Sequence, residues 1–256
     1  MAAAPAPRRG RGSGAGPLRG LLLTAAIAAG GALAAQDGAS PYAELFGRRY
    51  AEALSMASNR GEAWRGLLAG YGATEPGLLV AAVFPELLRH SLLRDEIEEM
   101  GLAALYVPGG TALADYSVGP FQMKPSFAER LEKALSASQS LPPALLDLAA
   151  YPEGSGEAAR RARRLERLLD EDWQLRYLAA FDLVARRLHD LAGLDEESRL
   201  RFLAAAYNCG FDSPRERILA AESWTLFPGR GGYGGRPPVS YVEVAADFHR
   251  QGWSGR

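Results

Sequence analysis

The sequence predicts an all-α protein, and three observations carry that reading. Apolar residues recur three and four positions apart through most of the chain after residue 40, which is the spacing of one helix face. No segment longer than a few residues alternates with the period of two that a half-buried strand requires. Clusters of Gly and Pro break the periodic stretches into pieces of ordinary helix length.

Residues 1–35 stand apart from that pattern. Met1–Arg19 is rich in Ala, Pro and Gly, carries Arg8, Arg9, Arg11 and Arg19, and has no acid. An apolar run from Leu21 to Ala29 follows, and small residues precede Gln36, the order of a secretory signal. The run is too short and too rich in Ala and Gly for a good membrane span, and no Cys follows it for a lipid anchor. Arg8-Arg9 hints at twin-arginine export. The expectation is a periplasmic or secreted protein with no stable membrane span after cleavage. Without residues 1–35 the 29 basic and 30 acidic side chains become 25 and 30, a net charge of −5. Nucleic-acid binding, which needs basic patches that release counterions, is excluded as a main function. Cys209 is the single cysteine, so the core holds by packing with no internal disulfide.

The elements follow in order. Ser40-Pro41 is a cap with a first-turn proline, opening a helix with Tyr42, Leu45, Phe46 and Tyr50 on one face. A short helix is expected over 62–68. Leu79–Ser91 reads LVAAVFPELLRHS, an apolar run that goes straight into Pro85-Glu86. Proline suits a first turn because the N–H it lacks would be unpaired there, so a helix is expected to begin at Pro85 with Glu86 in its first turn. Residues 95–106 read as the next helix, with Ile97, Leu102 and Leu105 inward. Residues 107–115, with Pro108-Gly109-Gly110, are expected to be a loop, with room for a small hairpin at 107–116. Helices over 125–135 and 141–149 follow.

Arg160, Arg161, Arg163, Arg164 and Arg167 are expected on a solvated helix face, since Glu157, Glu166, Asp170 and Glu171 interleave with them. Trp173, Tyr177, Phe181, Val184, Leu188 and Leu191 form one apolar stripe, placing a long helix at the centre of the bundle. A helix over 199–207 stops at Gly210. Capping boxes at Ser213–Glu216 and Ser240–Glu243 open a short helix and the last helix. Between these lies FPGRGGYGGRPP, a long Gly/Pro-rich loop at 227–238. It is not a nucleotide loop, because neither a Gly-Lys-Ser/Thr nor a preceding strand accompanies it.

Three islands break the bundle pattern and carry chemistry. Glu86 enters an apolar setting, where desolvation raises a carboxyl pKa and lets it hold a proton for general acid work. Asp115–Pro125, DYSVGPFQMKP, offers Gly119 for close backbone approach and Gln122 as an amide donor and acceptor. Ala205–Gly210, AAYNCG, ends an apolar helix with Tyr207 and Asn208. One proton donor and several hydrogen-bonding side chains make a sugar site. His90, His189 and His249 are scattered and, with one Cys, offer no usual zinc set, so no metal or cofactor is expected.

In order and chemistry these islands resemble the lytic transglycosylase branch of the lysozyme superfamily, the soluble-lytic-transglycosylase and goose-type group. In that family a catalytic Glu near a helix start is followed by Gly-Leu-Met-Gln-x-x-Pro and later by Ala-Tyr-Asn-x-Gly. Here Glu86 is followed by Gly119-Pro120-Phe121-Gln122-Met123-Lys124-Pro125 and by Ala206-Tyr207-Asn208-Cys209-Gly210. Tyr241-Val242 resembles the family's closing Tyr-Val helix. The sequence departs from the family at Leu87, where Ser usually follows the Glu, at Pro120 in place of Leu, and in longer gaps between the islands.

The resemblance implies a lysozyme-like helical domain at 79–256, behind an N-terminal helical extension at 36–78 and the signal at 1–35. It implies peptidoglycan glycan strands as the partner and Glu86 as a single acid and base. Ser117, Gln122, Tyr207 and Asn208 would be the substrate-binding residues. Two alternatives stay open. A hydrolysing muramidase needs a second carboxylate, for which Asp95, Glu96, Glu98, Glu99 and Asp115 are candidates. A non-catalytic glycan-binding protein needs none.

Overall fold

The computed structural model describes residues 40–92 and 95–253, without the side chains of residues 91, 92, 95–100 and 253. The expected signal at 1–35, the inward Ile97 and the acidic side chains at 95–99 lie outside these residues. Among the described residues the architecture is mostly helical, with one two-stranded ribbon. No helix among them is long and apolar enough to cross a membrane.

Helix α1 (Pro41–Phe46) opens at Ser40, whose hydroxyl accepts from the Tyr42 N–H at 3.1 Å. Gly47, at φ +54°, breaks the chain there, and α2 (Arg48–Gly70) then runs unbroken through the segment expected as a separate short helix. Burial of Tyr50, Ala53, Ala57, Trp64 and Leu68 along one face makes it a single element. A turn at 71–75 leads into α3 (Pro76–Leu92).

Helix α3 differs from the expectation of a helix beginning at Pro85. The helix starts at Pro76 and runs through Pro85, so Glu86 lies in its middle and not in its first turn. Pro85 removes one helical hydrogen bond, at a cost of about 3 kcal/mol. Leu79–Phe84, Leu87 and Leu88 are all fully buried, and each Leu, Val or Phe so placed contributes about 1.5–3 kcal/mol. Burial outweighs the proline. A helix that is apolar all round must be enclosed, and α3 is packed by α2 and, later in the chain, by α8 (Glu196–Cys209) and α10 (Tyr241–Phe248). The Phe84 ring stacks on Phe248 at 3.9 Å and meets Tyr50 edge-on. The boundary expected at residue 79 therefore falls inside a helix, and α2 packs along its length.

Helix α4 (Asp95–Gly109) passes through Pro108 into a 3₁₀ turn at Gly110–Ala112, so residues 107–112 of the expected loop are helical and only 113–116 run as irregular backbone, with no hairpin there. Leu105 is exposed, whereas Leu102 and Tyr106 are buried. The hairpin lies later, where Val118 and Met123 form an isolated antiparallel bridge just before α5 (Pro125–Ser136). A 3₁₀ turn at Pro143–Leu148 leads to α6 (Glu157–Leu169) and α7 (Glu171–Leu188).

Helix α6 does not present a simple solvated basic face. Arg164 and Arg167 point inward and are buried. The Arg164 guanidinium donates to the Glu132 carboxylate at 2.6 and 3.0 Å and to the Tyr106 oxygen and Glu129. Tyr177 and Tyr151 donate to the same Glu132 carboxylate at 2.6 and 2.7 Å. Buried Arg and Glu survive because each saturates the other and the hydroxyls complete the set. This network ties α4, α5, α6 and α7 together.

Helices α8 and α9 (Arg215–Ala221) meet at Gly210, which ends α8 at φ +105°. The capping box expected at Ser213 is not formed; Pro214 occupies the cap and the Ser213 hydroxyl donates back to the Cys209 carbonyl. Strands β1 (Thr225–Phe227) and β2 (Val239–Ser240) flank the Gly/Pro-rich segment and lead into α10. Ser240 caps α10 by accepting from the Glu243 N–H, while the Glu243 carboxylate pairs with Arg201 on α8.

Candidate active site

The middle of α3, the 115–126 segment and the end of α8 enclose one cavity of about 290 Å³. Glu86, Ser117, Gln122, Tyr207 and Asn208 all line it. Residues far apart in the chain meet because α8 packs against α3 and the 118–123 turn is pressed onto α7 and α8.

Glu86 is only 3% exposed. Burial pushes its pKa up; the Arg89 guanidinium, the Tyr241 hydroxyl and the Lys124 ammonium oppose the rise without cancelling it. Arg89 lies one turn along α3 and donates to Glu86 Oε2 at 2.7 Å, with its guanidinium over the Phe227 ring. Tyr241, on α10, stands close enough for its hydroxyl to favour the ionised carboxylate but outside regular hydrogen-bond geometry, and that hydroxyl is otherwise unpaired. Helix dipole effects act at helix ends, so they do not explain this carboxyl in mid-helix.

Gln122 sits at φ +48°, a conformation that non-glycine residues rarely adopt and that persists where surroundings enforce it. Its amide nitrogen donates to the Gly119 carbonyl at 2.9 Å, while its buried Oε1 has no protein partner. A buried acceptor left open at a cavity wall is a group awaiting a donor. The turn is fixed from below by Gln174 of α7, itself fully buried: Oε1 accepts from the Phe121 N–H at 3.2 Å, and Nε2 donates to the Val118 and Leu168 carbonyls. From the side, the Tyr207 hydroxyl donates to the Phe121 carbonyl at 2.7 Å. Tyr207 is therefore both wall and brace; burial and the nearby Glu86 charge hold its pKa well above that of a free phenol.

Ser117 is half-buried at the cavity edge and Asn208 is exposed on the last turn of α8. Asp115 also lines the cavity, but both its oxygens are engaged, one by the Ser126 N–H at 2.8 Å and one by the Ser126 hydroxyl at 2.7 Å. It serves as the cap that α5 lacks at Lys124. Among the described residues no cluster of three His, Cys, Asp or Glu side chains is placed to hold a metal.

Three contributors do not stand out in the sequence. Arg89 was accessible as the residue three positions after Glu86 on a helix. Tyr241 stood in the Tyr-Val pair of the last helix. Gln174 is a polar residue inside the stripe from Trp173 to Tyr177, with nothing in its spacing to reveal that its amide faces the turn.

Gly119 has φ +69°, and a Cβ there would stand 1.8 Å from Gln174 Nε2. Gly119→Ala is expected to lower stability by about 1–3 kcal/mol through the strained conformation, with the clash added. Gly154, at φ +75° with open space around it, isolates the conformational part, so Gly154→Ala should cost clearly less in urea melts. Equal losses would show that the Gln174 brace yields freely.

The chain matches no protein-family model, no curated protein and no solved structure, so the meaning of this site rests on its own geometry.

Proposed function

We propose that the protein is a peptidoglycan lytic transglycosylase that cleaves the MurNAc–GlcNAc β-1,4 bond and leaves a 1,6-anhydro-MurNAc end. The observation that carries this reading is a buried, pKa-raised Glu86 opening onto one cavity with Gln122, Tyr207, Asn208 and Ser117. A carboxyl of this kind keeps its proton to higher pH than an exposed one, and can give it to the glycosidic oxygen. The substrate's own N-acetyl group assists departure of the leaving sugar, an intramolecular step favoured by effective molarity. Glu86, now ionised, takes the proton of the C6 hydroxyl as that oxygen closes onto C1. Gln122 Oε1, with no protein donor, suits an amide N–H such as that of the N-acetyl group, and Asn208 and Ser117 suit sugar hydroxyls. The one described carboxylate beside Glu86 in the cavity, Asp115, is held as a helix cap, which favours a single-acid mechanism over one needing a second carboxylate. Such a substrate places the protein in the cell envelope.

The test is digestion of purified peptidoglycan by the protein and by its Glu86→Gln variant, with products weighed by mass spectrometry. Muropeptides lighter than hydrolysis products by one water, and absent with the variant, are expected. Water-added products would assign a hydrolysing muramidase and direct attention to Asp115. Binding to the sacculus with no products from either protein would make this a glycan-binding protein.

A further inference from the structure

A second cavity, of about 480 Å³, lies where the 147–155 segment meets α6 and the start of α7. It shares no lining residue with the first. Its walls combine positive charge with aromatic surface. Arg167 is 4% exposed, and among the described residues no carboxylate pairs with it. Two of its N–H groups donate to the Leu148 and Ala150 carbonyls at 2.8 and 3.0 Å, while Nε has no partner. Its guanidinium lies over the rings of Tyr151 and Trp173, at 5.0 and 4.7 Å from their centroids. Arg163, exposed and donating to Glu166 at 2.9 Å, adds a second guanidinium to the rim, and Ser155 and the Asp147 carboxylate add hydrogen-bonding groups.

A buried cation without a counter-ion is costly, and ring faces and carbonyls offset only part of that cost. Arg164, one turn earlier on α6, shows the contrast: it is also buried, and it is paired with Glu132 and Glu129. We infer that this cavity is a binding site for a carboxylate-bearing saccharide, its anion taken by Arg167 and Arg163 and its ring set against the edges of Tyr151 and Trp173. The planar guanidinium fork suits a carboxylate, the volume suits a small sugar, and the hydroxyls find Ser155 and Asp147. The site needs no reaction at Glu86 and stands whether or not the proposed activity does.

The test titrates N-acetylmuramic acid, and separately its neutral counterpart N-acetylglucosamine, into ¹⁵N-labelled protein, reading amide and indole resonances by NMR. Saturable shifts at the Trp173 indole and the Ser155 and Ala159 amides are expected with the acidic sugar. Affinity for the neutral sugar should be weaker by roughly 10- to 100-fold, the worth of a hydrogen bond to a charged group. Arg163→Ala, which removes an exposed side chain and leaves the Arg167 caps intact, should weaken the acidic sugar about fivefold or more. Shifts confined to Ser117, Gln122 and Asn208 would overturn this site while favouring the catalytic reading. Equal affinity for the two sugars, or binding indifferent to Arg163→Ala, would also overturn it.

Discussion

Glu132→Ala is expected to lower the unfolding free energy by about 3–5 kcal/mol, the scale for removing one partner of a buried ion pair. The carboxylate accepts from Arg164, Tyr177 and Tyr151 together. Its loss leaves a guanidinium that is 8% exposed, with Glu129 as its remaining charge partner, and two hydroxyls without acceptors. Urea unfolding read by circular dichroism measures the effect. Replacing Arg164 with Met in the same chain should restore much of the loss, because an apolar pair leaves no uncompensated charge. A loss below about 1 kcal/mol for Glu132→Ala would mean that water reaches this network and solvates Arg164.

Glu86→Gln is expected to lower kcat on peptidoglycan by about 10²–10⁴-fold, the usual contribution of a positioned general acid. Stability should move the other way. The folded pKa of Glu86 lies above the ordinary value of 4.5, so between that value and the folded pKa the native state binds more protons than the unfolded chain. Stability then falls as pH rises through that window. Glutamine has no such titration, so the variant should match the wild type below pH 4.5 and exceed it at higher pH. Paired thermal melts across that range check the sign. A variant less stable than the wild type at neutral pH would show that the Arg89 pairing outweighs the desolvation of the charged carboxylate.

The helical class was legible in the spacing of apolar residues, and the three chemical islands were legible because Glu86 interrupts an apolar run and Gly119, Gln122, Tyr207 and Asn208 break the spacing further on. The position of Pro85 was not. Local rules place proline at a helix start, and only enclosure of α3 on every side, a tertiary effect, carries the helix through it. The inward turn of Arg164 and Arg167 was hidden for a related reason. Interleaved opposite charges on one helix look self-sufficient, whereas the true partner of Arg164, Glu132, is 32 residues away in the chain, and Arg167 is met by the Leu148 and Ala150 carbonyls. Likewise Pro108 looked like a loop signal, yet α4 continues through it before turning at Gly110.

The bracing of the 118–123 turn by Gln174 has a thermodynamic consequence for whatever enters the cavity. Val118, Phe121 and Leu168 are tied through one fully buried amide of α7. The conformational entropy of the turn, including the unfavourable backbone of Gln122, is therefore surrendered when the chain folds and not when a ligand arrives. Recognition at Gln122 inherits its rigidity from the core, and a substitution at Gln174, remote from any sugar, would be felt first as a slackening of that grip.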